Sequence, residues 1–273
     1  MTIPAFFASF RSLYKKCQVV KFFMRWRFNY MKKLLLFFTG ALLVAAPALS
    51  QDVDDIIKKH IEALGGAEKL AGIKTIKISG NMTMAMMGLE GQISRTVMRP
   101  NMVRMEIDVM GQTIVQAFDG EEAWQIMPFM GNPNPDKMPE EQAKLMTRDA
   151  DLDGPLVDYK KKGHKVELLG EDDFEGTKVY KLKVMLKNGA EYLTFIDAEH
   201  HLELKQITKV KSQQGGEVEA TAVFGDFKPV NGVMMPHAIT LTDPMNGSIE
   251  VTFSNVEVNG EVDESKFKKP AGE

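Results

Sequence analysis

One cysteine, Cys17, serves all 273 residues, and the stretch that holds it contains no aspartate or glutamate. The first fifty residues carry eight Lys or Arg and no acid. Within them Met31-Lys32-Lys33 precedes the apolar run 34–49, small residues stand at Ala48 and Ser50, and the acidic QDVDD follows. A basic start, a short apolar run and a small-residue site predict a secretory signal over residues 31–50, cut after Ser50. The run falls short of the ~20 residues a membrane-crossing helix needs, and no basic cluster follows it to stop transfer. Residues 1–30, ahead of a complete signal, read as an N-terminal extension from a start codon set too early; a long basic leader is the alternative. With Cys17 removed, the exported chain has neither disulfides nor thiol chemistry. No cysteine stands just after the apolar run, which argues against a lipid-anchored form.

Positive charge is scarce in what remains. Eight of the 34 Lys and Arg precede residue 51 and none of the 37 acids do, so residues 51–273 carry a net charge of −11. Such a surface repels nucleic acid and has no electrostatic grip on an anionic bilayer. Neither a nucleic-acid partner nor stable membrane insertion is expected, and the signal predicts export.

The usual catalytic arrangements are also missing. The chain has no Gly-x-Ser-x-Gly and no phosphate loop. Its five histidines stand at 60, 164, 200, 201 and 237. His200 and His201 would face opposite ways on a regular strand, His164 and Glu167 lack zinc spacing, and His60 reads as a partly buried edge residue. Asp151, Asp153 and Asp158 do not follow the calcium-loop spacing. No enzyme activity, cofactor or metal is expected.

What is present is periodicity. Asp52 can cap a helix carrying Val53, Ile56, Ile57, Ile61 and Leu64 on one stripe, with Gly65-Gly66 ending it and a weaker turn at 67–70. From Ile73 the period becomes two, predicting strands at 73–87, 91–99, 102–110, 112–118 and 121–128 with tight turns between them. Val103, Met105, Ile107 and Val109 share one face; Arg104, Glu106 and Asp108 share the other. Residues 128–139, with four prolines, read as a loop. A helix from Glu140 through Met146 and a second from Asp153 through Lys160 follow. Strands resume at 164–170, 178–187, 190–197, 201–211, 216–226, 232–242 and 247–258, with Asn-Gly or Gly-Gly in several turns. A sheet of about eleven strands curls. The reading is therefore mainly β in one domain over 51–273: a strongly curved antiparallel sheet or unclosed barrel, capped by helices that cover its apolar face.

The motifs MRPNMV and AFDGEEAWQIMPF, with FGDFKPVNGVMMPHAI and YLTFID later, carry a likeness. In them the chain resembles the periplasmic lipoprotein carriers of the LolA type and the outer-membrane lipoprotein-sorting proteins grouped with them. The resemblance implies a periplasmic chain, an unclosed β-barrel enclosing an apolar cavity under a helical lid, the acyl chains of a lipoprotein or another amphiphilic lipid as its cargo, and an inner-membrane donor and an outer-membrane acceptor as partners. It implies that Arg99 latches the lid and that Val103 and Met105 point inward; Ile107 continues that face. The same fold can also serve as an envelope lipid or lipoprotein sensor acting through a protein partner. The chain departs from the resemblance in holding more methionine, and fewer aromatics, in its early strands.

NMTMAMM, residues 81–87, places Met82, Met84 and Met86 at alternate positions. Methionine is unbranched and polarizable, so it suits a wall that must accept hydrocarbon of variable length; it is also the ordinary gap-filler of a core. The cavity expectation rests on Met82, Met84, Met86, Val103, Met105 and Ile107. Trp124 is expected to pack structurally rather than touch cargo.

Overall fold

The computed structural model describes residues 52–211, 216–244 and 247–270. The expected signal over 31–50 and the extension before it lie outside the described residues. Helix α1 spans Val53–Ala63 and α2 spans Ala67–Ala71. Strands β1 to β6 follow as Thr75–Met84, Leu89–Met98, Met102–Val109, Gln112–Phe118, Ala123–Met127 and Asn132–Lys137. After α3 (Glu140–Asp149) come β7 to β13: Lys165–Phe174, Thr177–Met185, Glu191–Asp197, Glu203–Lys211, Glu217–Val230, Val233–Asp243 and Gly247–Val258. They form one curved antiparallel sheet in the order β6-β5-β4-β3-β2-β1-β13-β12-β11-β10-β9-β8-β7. The first strand pairs with the last, and β6 and β7 are left as the two edges, so the sheet curls without closing.

Three local departures from the periodicity have physical causes. The proline-rich stretch read as a loop contains β6, with Pro133 and Pro135 on an edge strand where a missing N–H costs no ladder bond. Strand β1 stops at Met84, and Ala85–Met87 is a 3₁₀ turn ended by left-handed Gly88. The second helix expected from Asp153 is instead a chain of turns over 151–163. Gly154, Asp158 and Gly163 each have positive φ, which a right-handed helix cannot absorb.

Where alternation was read, it places side chains as expected. Cα partners share a face, so the register defines rows across the inner wall of β2–β5. Val97, Val103, Phe118 and Ala123 form one; Arg95, Met105, Gln116 and Gln125 the next; Ile93, Ile107 and Ile114 the third. Helix α3 roofs the first row, setting Met146 and Ala150 against Val97, Val103 and Phe118. Helix α1, capped by the Asp52 carboxylate, sets Ile56 and Ile57 on Tyr180, Leu182, Val184 and Ile196 of the opposite wing. Between the wings, Leu70 and Ile73 pack on Val233 and Met235. Gly65 allows that docking: a Cβ there would lie 2.3 Å from the Gly232 carbonyl oxygen, and its φ is +119°. The chain returns outside the barrel, where buried Trp124 donates its indole N–H to the Phe267 carbonyl at 2.7 Å.

Candidate functional site

The segment joining the two free edges, α3 and the turns after it, lies over the inner face of the sheet. Beside α3 opens a hollow of ≈1010 Å³, walled by Leu145 and Gln142 of the helix and by Tyr192, Thr208 and Ala220 of β9–β11. Apolar Leu193 and Ile207 share its lining with Lys144, Lys183, Glu217 and Glu219. The hollow is therefore amphipathic, not uniformly apolar, and its size is at the upper end of ordinary ligand cavities.

Arg99 stands at the turn between β2 and β3, and its guanidinium donates four hydrogen bonds. Nε donates to the Ile73 carbonyl at 2.6 Å and Nη2 to the Leu70 carbonyl at 3.0 Å. Nη1 and Nη2 also form a fork with the Asp153 carboxylate, at 2.7 and 2.5 Å. One side chain thus joins the end of α2 to the segment after α3. The Arg99 hydrogen bonds hold the Asp153 carboxyl below its usual range, and Asp153 pushes the guanidinium pKa up in turn. The same segment is stapled by Lys162, which reaches Asp151 at 2.6 Å and the Gly154 carbonyl at 2.9 Å. The Tyr159 hydroxyl donates to Asp54 of α1 at 2.7 Å. Helix α3 is held separately: Arg95 donates to the carbonyl of Asp149 at 2.7 Å, and Asn188, at the β8–β9 turn, donates to the Thr147 hydroxyl at 2.8 Å.

The residues expected to line a cavity do not gather at one place. Val103 is buried under α3, and Met105 lies in the polar row, paired with Arg95 and Gln116. Met82 is buried with Val109 and Val251, and Met84 and Ile107 pack against that group. Met86 falls beyond the end of its strand and is 71% exposed. None of the six borders the ≈1010 Å³ hollow. Asp153, the partner of Arg99, was missed because nothing local marks it: the pair is separated by 54 residues.

The histidines differ from expectation in one respect. His60 is not an edge residue but buried, with Nδ1–H donating to the His201 carbonyl at 2.8 Å. Burial is the main reason its pKa is lowered. His200 and His201 lie in the turn before β10, where His200 approaches Asp197 at 3.3 Å. Among the described residues no group of three or more His, Cys, Asp or Glu could hold a metal ion, and no helix is long and apolar enough to cross a membrane.

No family model matches the chain, and no curated protein matches it either. Solved structures do. A domain described as an outer membrane lipoprotein-sorting protein, from Vibrio parahaemolyticus, superposes with a TM-score of 0.50 at 13% identity, covering 79% of this chain and 95% of that one. A LolA superfamily protein from Nitrosomonas europaea gives 0.50 at 12% identity, over 79% and 97%. The fold is LolA-like. A DUF1329 family protein from Desulfovibrio piger shares this LolA-like fold, with a TM-score of 0.51 at 11% identity over 79% and 97% of the two chains. The LolA-like sheet, open between β6 and β7, is the frame that positions α3 and the Arg99 cluster.

Proposed function

We propose that this protein is a periplasmic carrier that shields the acyl chains of lipoproteins in transit toward the outer membrane, without a chemical step. The observation that carries the reading is the hollow between α3 and strands β9–β11, in a sheet whose two edges never meet. Hydrocarbon in water is expensive: at about 0.8 kcal/mol per methylene, a sixteen-carbon chain costs on the order of 10 kcal/mol. A carrier must offset most of that and still release its load. An unclosed sheet roofed by a helix can widen by moving the roof, and the mixed lining suits an amphiphile whose head group travels with its chain.

In this reading Arg99 is the latch, with Asp153 as its catch. An exposed edge of the pair keeps it reversible, since fractional exposure of the two side chains is 30% and 18%. Direction comes from a donor at the inner membrane and an acceptor at the outer membrane. The test is release of a radiolabelled lipoprotein from inner-membrane vesicles into the soluble fraction. The chain from Gln51 onward is expected to bring it into solution as a one-to-one complex. Lipid binding without release of any lipoprotein would favour the sensor alternative and overturn carriage.

A further inference from the structure

The end of the barrel at which β1, β3 and β5 finish has an unusual surface. Five of the six large apolar side chains exposed among the described residues lie there: Met86, Met87, Met110, Phe129 and Leu241. They come from four hairpins. Met86 and Met87 form the β1–β2 turn, Met110 the β3–β4 turn, Phe129 the β5–β6 turn, and Leu241 stands near the end of β12. The register brings these hairpins to one level: Met82 pairs with Gly91 and Val251, Gly91 with Val109, Val251 with Ile239, and Glu106 with Val115, whose other partner Ile126 stands three residues before Phe129.

Three of these tips are stripped of charge. Residues 84–89, 109–113 and 127–132 contain no Asp, Glu, Lys or Arg, in a chain that is 26% charged, and the residues just behind the tips, Glu90, Asp108 and Asp243, are acidic. Average composition would place about four charges in those 17 positions. Charge-free, apolar tips on three hairpins that are far apart in sequence are costly in water, and isolated exposed residues do not explain their alignment. The apolar interior reaches the surface at this end, where Met82, Val109 and Val251 pack with Met84, Ile107 and Ile249 beneath the tips.

We infer that this end docks into the interfacial layer of a lipid bilayer, through Met86, Met87, Met110 and Phe129. Separate tips offer points rather than a continuous face, whereas an ordinary protein partner covers about 800 Å² on each side. Shallow insertion needs only apolar side chains and freedom from charge. The absence of basic residues on the tips makes the attraction apolar, so the fitting surface is a neutral phospholipid one and binding is insensitive to salt. The inference deepens the carrier reading, because a barrel end seated in a bilayer lets hydrocarbon reach the interior without crossing water.

The experiment is flotation of the chain from Gln51 onward with phosphatidylcholine vesicles, at 50 mM and 500 mM salt, beside the variant Met86→Ser/Met87→Ser/Met110→Ser/Phe129→Ser. The expected result is vesicle binding equal at both salts and reduced at least tenfold in the variant. Circular dichroism and the thermal midpoint show that the variant is folded. Should the variant unfold, Met110→Ser alone and Phe129→Ser alone are each expected to weaken binding at least twofold. No binding by the parent chain, binding abolished by salt, or undiminished binding by the folded variants overturns the inference. A concentration-dependent dimer lost in the variant, without vesicle binding, would assign the tips to a second copy instead. Binding of a fluorescent acyl probe in solution is measured on the same proteins. Loss of probe binding with vesicle docking intact rejects the carrier reading; the reverse rejects the docking.

Discussion

Two side chains carry most of the consequence at the residue scale. Arg99 donates four hydrogen bonds to three different partners, so Arg99→Leu removes a tie between α2 and the segment after α3 while leaving both wings packed. The expected cost is about 1–3 kcal/mol, a fall in Tm of roughly 2–9 °C, with the far-ultraviolet circular dichroism spectrum unchanged. A double-mutant cycle with Asp153→Asn is expected to show coupling, and a sum of two independent effects would remove the latch pair. His60 makes the second case. Unfolded, it titrates near its ordinary 6.5; folded, burial holds its pKa lower, so between those values only the unfolded chain binds the proton. Its stability contribution is complete above about 6.5 and is lost as pH falls toward the folded value. Urea midpoints are expected to drop between pH 7.5 and 5.5, and less so in His60→Asn, which keeps a donor for the His201 carbonyl but cannot titrate there. Neither role was legible locally. A basic residue before a turn proline looks like any surface arginine, and the carbonyl that orders His60 lies 141 residues away.

At the scale of elements, alternation was legible wherever one face of a strand is buried and the other wet. Val103, Met105 and Ile107 fall on the inner wall as the pattern requires. It failed where backbone chemistry overrides side-chain period. Strand β6 hides behind prolines that only an edge tolerates, and the segment after α3 looks helical until its positive-φ residues interrupt it. Helix α3 is the movable roof of this account, tied to the sheet by Asn188 and Arg95. The chain from Gln51 onward has no cysteine, so Thr147→Cys with Asn188→Cys introduces the only pair. Oxidation is expected to block uptake of an acyl probe and reduction to restore it. Uptake unaffected by the crosslink would mean that α3 does not need to move at its β8–β9 end. On the outer face, Trp124 is fully buried, and Trp124→Ala is expected to cost about 3–5 kcal/mol in unfolding experiments.

For the whole molecule, the sheet order was the part that periodicity left open. Alternation counts strands but does not say that β1 pairs with β13, the pairing that turns a meander into a barrel-like wall open between β6 and β7. The resemblance carried by short motifs anticipated that architecture, and the similarity to LolA-like structures agrees with it. The interior proved layered: an apolar row under α3, a polar row at Arg95 and Gln116, and an apolar zone near the hairpin tips. A hollow of that kind either holds amphiphiles or it does not. Native mass spectrometry of the protein, purified from the envelope fraction without detergent, decides between these. The account predicts that a substantial share of the molecules carry one or more acyl-chain species, released by organic solvent. Protein that is uniformly empty, and that takes up no acyl chain when offered one, would contradict it.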